Sequence, residues 1–342
     1  MLQKLKYIFF IPIDLFLLIL GICIYRLTKQ TPFFSYKSMH RLFYIFGGAI
    51  TEFTNDLTKS KNKDLLQYNF EENRDIVNNI RENGLFIKED FLTFDEIEKI
   101  KKLILDYEFS LRPMDDDKNN KSIKLVREKF DPNNPKAVLY EVDSNFLVNQ
   151  KVIQKILLKD EIYDLGLRYF GSEPFLDHVS LSISTNFNKK PDGEAAQLYH
   201  FDLDKPKWLK FLTYVNDVGI TNGPHCFIKK THKSNAIPFS LRSRGYVRLD
   251  DENEKIKKLI KNEIKITGKA GTSIIEDTKG LHKGLMVETG YRILLNIQIN
   301  SSMFGSPFKK MKFTNIDNDL LRRFREKKNF FSHSTNLTSF LN

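Results

Sequence analysis

Cysteine is scarce: Cys23 and Cys226 are the only two in 342 residues. One pair cannot build the cross-linked framework of a small secreted domain, so an ordinary core must hold the chain, in keeping with a reducing compartment. Paired Cys/His zinc spacings and an aromatic RNA-binding signature are also missing. The formal net charge of +11 therefore does not argue for a nucleic-acid partner; heavy use of Lys, Asn, Ile and Phe raises charge without conferring one. No internal repeat occurs. What is present, 41% hydrophobic and 28% charged residues, suits one large globular domain with attachments.

Long apolar runs are confined to one place. Residues 7–25 read YIFFIPIDLFLLILGICIY, just long enough to cross a bilayer. Pro12 and Asp14 are awkward there, and a helix lying in the interface would relieve the cost of the carboxylate. No small-x-small cleavage pattern follows, and Ile22 before Cys23 is too large for a lipoprotein-type signal. Lys4 and Lys6 precede the run, whereas Arg26, Lys29, Lys37 and Arg41 follow it. That excess puts the main domain on the cytoplasmic side of a membrane-associated protein.

Residues 1–30 thus read as a membrane-anchor helix and 31–79 as a helical or polar connecting region. At Ile80 the character changes. A Gly84 turn and a strand (Leu85 to Ile87) lead to a helix capped by Thr93 or Asp95, with Ile97, Ile100 and Ile104 on one face. A second helix is expected over 152–170, closing at Gly171. Strands are expected over 181–187, 198–202, 209–215, 226–229, 272–276 and 291–299, separated by turns, as in an antiparallel sandwich or barrel. The domain runs over 80–305. It is interrupted at about 234–265 by an insertion with a basic front (Arg242, Arg244, Arg248) and a helix-like back, and a basic tail covers 306–342.

Only seven histidines occur, so each can be weighed. In AQLYHFDLD, His200 and Asp202 have period-2 spacing, which on an extended strand turns both side chains to one face. DTKGLHKG supplies His282 as a third ligand. Two imidazoles and one carboxylate occupy one face of an octahedron and leave the other open for an oxo-acid and dioxygen, the facial triad of non-haem iron(II) oxygenases. His-x-Asp alone recurs by chance. Arg292, ten residues after His282 on the next strand, strengthens it, because a guanidinium fork matches the far carboxylate of 2-oxoglutarate. His225 and His232 read as pocket or structural residues, Cys226 as a small buried one, and Tyr199, Trp208, Tyr214 and Asn296 as core or pocket lining.

At these motifs the chain resembles the phytanoyl-CoA dioxygenase family of Fe(II)/2-oxoglutarate-dependent oxygenases. The likeness covers roughly 80–300. It runs from ENGLFIKEDFLTFDEIEKIKKLI through YFGSEPF and NGPHCFIKKTHK to DTKGLHKG, the most specific match. Lys230 and Thr231 depart from the family's Gly-Ser, and the long insertion and apolar N-terminus lie outside its pattern. The resemblance implies a mainly β fold with flanking helices, a double-stranded β-helix (jelly roll, cupin-like). It also implies Fe(II), 2-oxoglutarate and O2 as the reacting set. With Asp202 retained, it implies hydroxylation of an unactivated C–H bond coupled to decarboxylation of 2-oxoglutarate to succinate.

A second reading, a membrane-tethered jelly-roll binding protein without turnover, sits poorly with three retained ligands and the arginine. A zinc hydrolase would leave Arg292 without a task. Lys205, Lys207, Lys210, Lys229, Lys230 and Lys233 flank the motifs and suggest a small-molecule or lipid-linked substrate with an anionic group; no nucleic-acid partner is expected.

Overall fold

The computed structural model describes residues 2–60, 73–111, 127–243, 245, 248–306 and 309–334; Arg244, parts of the connecting region and the end of the basic tail lie outside them. Three helices come first: α1 (Leu2–Thr28), α2 (Phe33–Phe46) and α3 (Gly48–Thr58). The rest of the chain follows, with α4 (Arg74–Asn83), β1 (Leu85–Lys88), α5 (Phe94–Asp106), β2 (Glu108–Leu111), β3 (Arg127–Lys129) and β4 (Leu139–Val142). Next come α6 (Ser144–Val148), α7 (Lys151–Leu157), α8 (Asp160–Phe170), β5 (Phe175–Thr185), β6 (Trp208–Tyr214), β7 (His225–Ile228), α9 (Phe239–Arg242) and α10 (Glu254–Ile260). The chain ends with β8 (Glu263–Ile266), β9 (Ser273–Glu276), β10 (His282–Gly284), β11 (Tyr291–Asn300) and α11 (Asn318–Glu326).

All strand pairs are antiparallel. Eight strands order as β1-β9-β6-β11-β5-β4-β2-β3, and a smaller sheet as β10-β7-β8. This is a jelly roll, mainly β with flanking helices. Strand β11, YRILLNIQIN, explains the layering. Ile293, Leu295, Ile297 and Ile299 alternate onto one face and are buried with Leu181 and Ile183 of β5 and with Ile100, Ile153 and Ile156 of the helices. Each such isoleucine contributes about 2 kcal/mol by leaving water. The other face, with Arg292 and Asn296, turns into the barrel.

Local chemistry sets the element ends. Thr93 caps α5 through a reciprocal box with Glu96. Gly171 closes α8 in the left-handed region, φ 63°. The single helix expected over 152–170 is two, because a new helix begins at Asp160 with Asp160 and Glu161 in its first turn, where acidic groups favour a helix start. Residues 198–202 are extended, but they form isolated bridges (Tyr199 to Leu249, His200 to His282), not a regular strand. Residues 263–265, read as helix-like insertion, belong to β8 and pair with β7. Lys230 holds a left-handed φ of 68°, a conformation that suits glycine better, and Thr231 Oγ1 accepts from Leu281 N at 2.8 Å, tying that turn to the approach to β10.

The first three helices dock on the barrel. Asp14, awkward in the sequence, is buried and receives Arg41 Nε at 2.9 Å on both oxygens and Ser38 Oγ at 3.0 Å. The carboxylate is thus paired within α1 and α2 and not left to lipid. Leu18, Ile22 and Tyr25 of α1 and Met39, Leu42 and Phe43 of α2 share a core with Tyr199, Phe201 and Leu203. Phe43 stacks near Phe201 with centroids 5.5 Å apart, and His40 Nε2 lies 3.0 Å from the Leu203 carbonyl.

Candidate metal centre and co-substrate pocket

Period-2 geometry divides residues 199–203 between two neighbours. Phe201 and Leu203 face the helical hairpin, Tyr199 turns to the same side of the ribbon but toward β8, and His200 and Asp202 face the barrel interior. His282 opens β10 directly opposite His200: His200 N donates to the His282 carbonyl at 3.1 Å and His282 N to the His200 carbonyl at 2.9 Å. Backbone pairing thereby brings together side chains 82 positions apart in the sequence. Their ligand atoms all lie within 4.8 Å of one another, and all three residues are buried.

Each imidazole is held by its far nitrogen. His200 Nδ1 is 2.9 Å from the Leu198 carbonyl, and His282 Nδ1 is 2.9 Å from the Gly280 carbonyl. A carbonyl can only accept, so Nδ1 carries the proton in both rings and Nε2 keeps its lone pair toward Asp202. Burial lowers both histidine pKa values and keeps the rings neutral, the form that binds metal. For Asp202 burial pushes upward, but the Lys210 ammonium, close and hydrogen-bonded, acts against it, and the carboxyl is held below the usual carboxylate range. Two neutral nitrogens and one carboxylate oxygen are the donors that a divalent iron accepts.

By sequence Lys210 is one of six lysines that flank the motifs and suggest an anionic substrate group. It turns inward instead, and its Nζ donates to Asp202 Oδ2 at 2.6 Å. The others disperse: Lys205 pairs with Asp177 in the interior, and Lys230 and Lys233 pair with Glu82. Lys210→Met is expected to cut 2-oxoglutarate turnover by about tenfold, because the carboxylate loses its aim, as partners of metal ligands commonly show. Iron affinity should not fall in step, since removing a cation beside the site offsets the lost hydrogen bond. Iron titration alongside succinate release checks this split; a parallel fall in both would make Lys210 merely structural.

Behind His282 lies a buried pair, His225 Nε2 to Glu276 Oε2 at 3.0 Å, with the two imidazole centroids 5.8 Å apart. Sequence reasoning left His225 without this partner, which sits 51 positions on. His232 is structural, its Nε2 3.1 Å from the Arg81 carbonyl. Tyr199 does not line the pocket: it points away from His200, toward Glu263. Trp208 and Tyr214 are buried, bonded to Thr278 and the Ile266 carbonyl.

Arg292 is buried. Its guanidinium donates to the Gly223 carbonyl and to Ser184 Oγ at 3.1 Å, while Nε has no hydrogen-bond partner. Among the described residues no carboxylate forms an ion pair with it. Gly284 shares the inner face of β10 with His282, and a Cβ there would come within 2.7 Å of Arg292 Nη2. The glycine leaves room for the arginine one strand repeat, roughly 7 Å, from the histidine. A five-carbon dicarboxylate spans such a gap.

Fold and donor set together define a metal-dependent oxygenase of the jelly-roll class. Residues 80–290 match the family model described as phytanoyl-CoA dioxygenase (PhyH), and the chain belongs to that family. It is therefore an Fe(II)/2-oxoglutarate-dependent oxygenase that uses dioxygen and acts on a small molecule. Among solved structures it is similar to HygX from Streptomyces hygroscopicus with nickel and 2-oxoglutarate bound, at 12% identity and TM-score 0.47, covering 72% of this chain and 93% of that one. Similar too are EctD from S. alaskensis in its apoform (14%, 0.46, covering 74% and 85%) and the epimerase SnoN in complex with Fe3+, alpha ketoglutarate and nogalamycin RO (13%, 0.46, covering 66% and 82%). Comparison with curated proteins returns no match.

Proposed function

We propose that His200, Asp202 and His282 hold the iron, that Arg292 receives the far carboxylate of 2-oxoglutarate, and that the enzyme hydroxylates an unactivated C–H bond of a small-molecule or lipid-linked substrate. The carrying observation is the buried Arg292, which has no carboxylate partner among the described residues. A guanidinium removed from water without a counter-anion is costly, and a dicarboxylate would supply one.

When bound, iron and 2-oxoglutarate supply the oxidising power, consuming dioxygen and releasing succinate and carbon dioxide. The chain's own residues do the rest. His200 and His282 present lone pairs fixed by their backbone carbonyl partners. Lys210 keeps Asp202 Oδ2 engaged, which favours Oδ1 for the metal. Arg292 and Ser184 orient the co-substrate, and Leu212, Tyr214, Phe227 and Ile274 exclude water from one half of the barrel.

Anaerobic addition of iron(II) and 2-oxoglutarate tests the reading, with a weak visible charge-transfer band expected from the chelate. A protein that develops no band with both present does not have this site.

The first helix supports a place at a membrane. It is long and apolar enough to cross one, yet one face is packed on α2 and the barrel. Phe10, Ile13, Phe16, Ile19 and Leu20 stay exposed, Phe16 at 64%. We read α1 as lying in the interface with this face toward lipid, not as a lipid-surrounded span. The full chain should float with liposomes and lose flotation in the double variant Phe16→Glu, Ile19→Glu. Wild-type protein left at the bottom of the gradient removes the claim. Deleting residues 1–30 is the poorer test, because Leu18, Ile22 and Tyr25 belong to the core.

A further inference from the structure

We infer that the portion of the substrate lying beside the metal is a polyhydroxylated group, sugar-like or cyclitol-like, and not an acyl chain; this rests on the oxygenase reading above. Strand register identifies the inner wall. Across β11 and β5, Leu294 faces Ser182, Asn296 faces Ser180 and Gln298 faces His178. Across β11 and β6, Asn296 faces Leu212 and Gln298 faces Lys210.

The two halves of the barrel differ. On the β6, β7 and β9 side, Leu212, Tyr214, Phe227 and Ile274 pack into a closed apolar cluster. On the β5 and β11 side, His178, Ser180, Ser182 and Asn296 face inward with Leu294 and stay partly accessible, so imidazole, hydroxyl and amide groups outnumber the one leucine along this wall.

One side chain there waits for a partner. Asn296 Nδ2 donates to Ser180 Oγ at 3.2 Å, whereas Asn296 Oδ1 is buried without any hydrogen bond. Exchanging the amide's oxygen and nitrogen would only move the vacancy to the other atom. A hydroxyl both donates and accepts, so a group carrying several could meet Asn296, Ser180 and Ser182 at once. A methylene chain would leave Asn296 Oδ1 without a donor and Ser182 facing only carbon, the situation by which hydrogen-bonding sites reject apolar analogues. Lys210 is already engaged with Asp202, so this wall selects for neutral polar groups and not for charge.

The test is proton relaxation in the full-length protein loaded with Mn(II) and 2-oxoglutarate, using methyl glucoside, myo-inositol and N-acetylglucosamine against hexanol and hexanoate at equal concentration. The hydroxylated probes should relax at least about fivefold more than the alkyl ones, a modest discrimination for a site with unpaired polar groups. Asn296→Leu should erase the difference, with Ser180→Ala as a milder variant. Relaxation of 2-oxoglutarate in the same sample reports that the pocket is folded. Equal or greater relaxation of the alkyl probes, or none of any probe, overturns the inference. Failure of the metal to relax 2-oxoglutarate itself would instead sink the underlying site assignment and this inference with it.

Discussion

His282→Ala is expected to lower 2-oxoglutarate-dependent succinate release by about a thousandfold, equivalent to roughly 4 kcal/mol of lost barrier reduction. Two donors, His200 Nε2 and Asp202, would remain, too few to retain an iron against water and buffer. The protein should stay folded, because His282 joins the sheet through its main chain: its N–H and carbonyl pair with His200 whatever the side chain is. Bound iron should fall with activity, and the thermal unfolding curve should barely move. A variant that keeps a tenth of the wild-type turnover would show that this imidazole is not a ligand.

Arg292→Ala should act on the co-substrate, raising the KM for 2-oxoglutarate by about a hundredfold, as expected when one partner of a buried, hydrogen-bonded charge pair is removed. Much less change is expected in turnover at saturation, since the group lies a strand repeat away from the metal ligands. Arg292→Lys should recover only part of the loss; a single ammonium cannot form the two-pronged contact that a guanidinium makes with a carboxylate. Steady-state kinetics at varied 2-oxoglutarate measure the split. An unchanged KM would leave the buried cation unexplained.

Much of the fold could be read from residue order. The alternation in YRILLNIQIN marks a strand with one buried face, and HisPheAsp spacing puts two polar groups on the other face of an extended segment. Elements lacking such alternation escaped notice. Strands β2, β3 and β4 carry Glu108, Arg127, Glu128, Lys129 and Glu141, charges that mask any apolar period. Lys210 escaped for a related reason. A lysine in a lysine-rich chain reads as solvated, and only the sheet register shows that it shares the inner face with Gln298. Tyr199, which reads as core or pocket lining, is core, because adjacent strand residues point to opposite sides and its neighbour His200 takes the inner one. Asp14 found its partner in Arg41, 27 positions away on another helix, beyond the reach of a local reading.

The ribbon of residues 199–203 has two customers, and this bears on how the enzyme can be handled. Phe201 and Leu203 lean on the helical hairpin, and the even-numbered side chains aim at the metal centre. Cutting away the apolar N-terminus to gain solubility would therefore strip the backing from the very segment that carries two ligands. Weak iron loading in such a trimmed protein would report a lost buttress, not an inactive enzyme. Detergent or lipid that keeps the hairpin seated is the safer route to a competent centre.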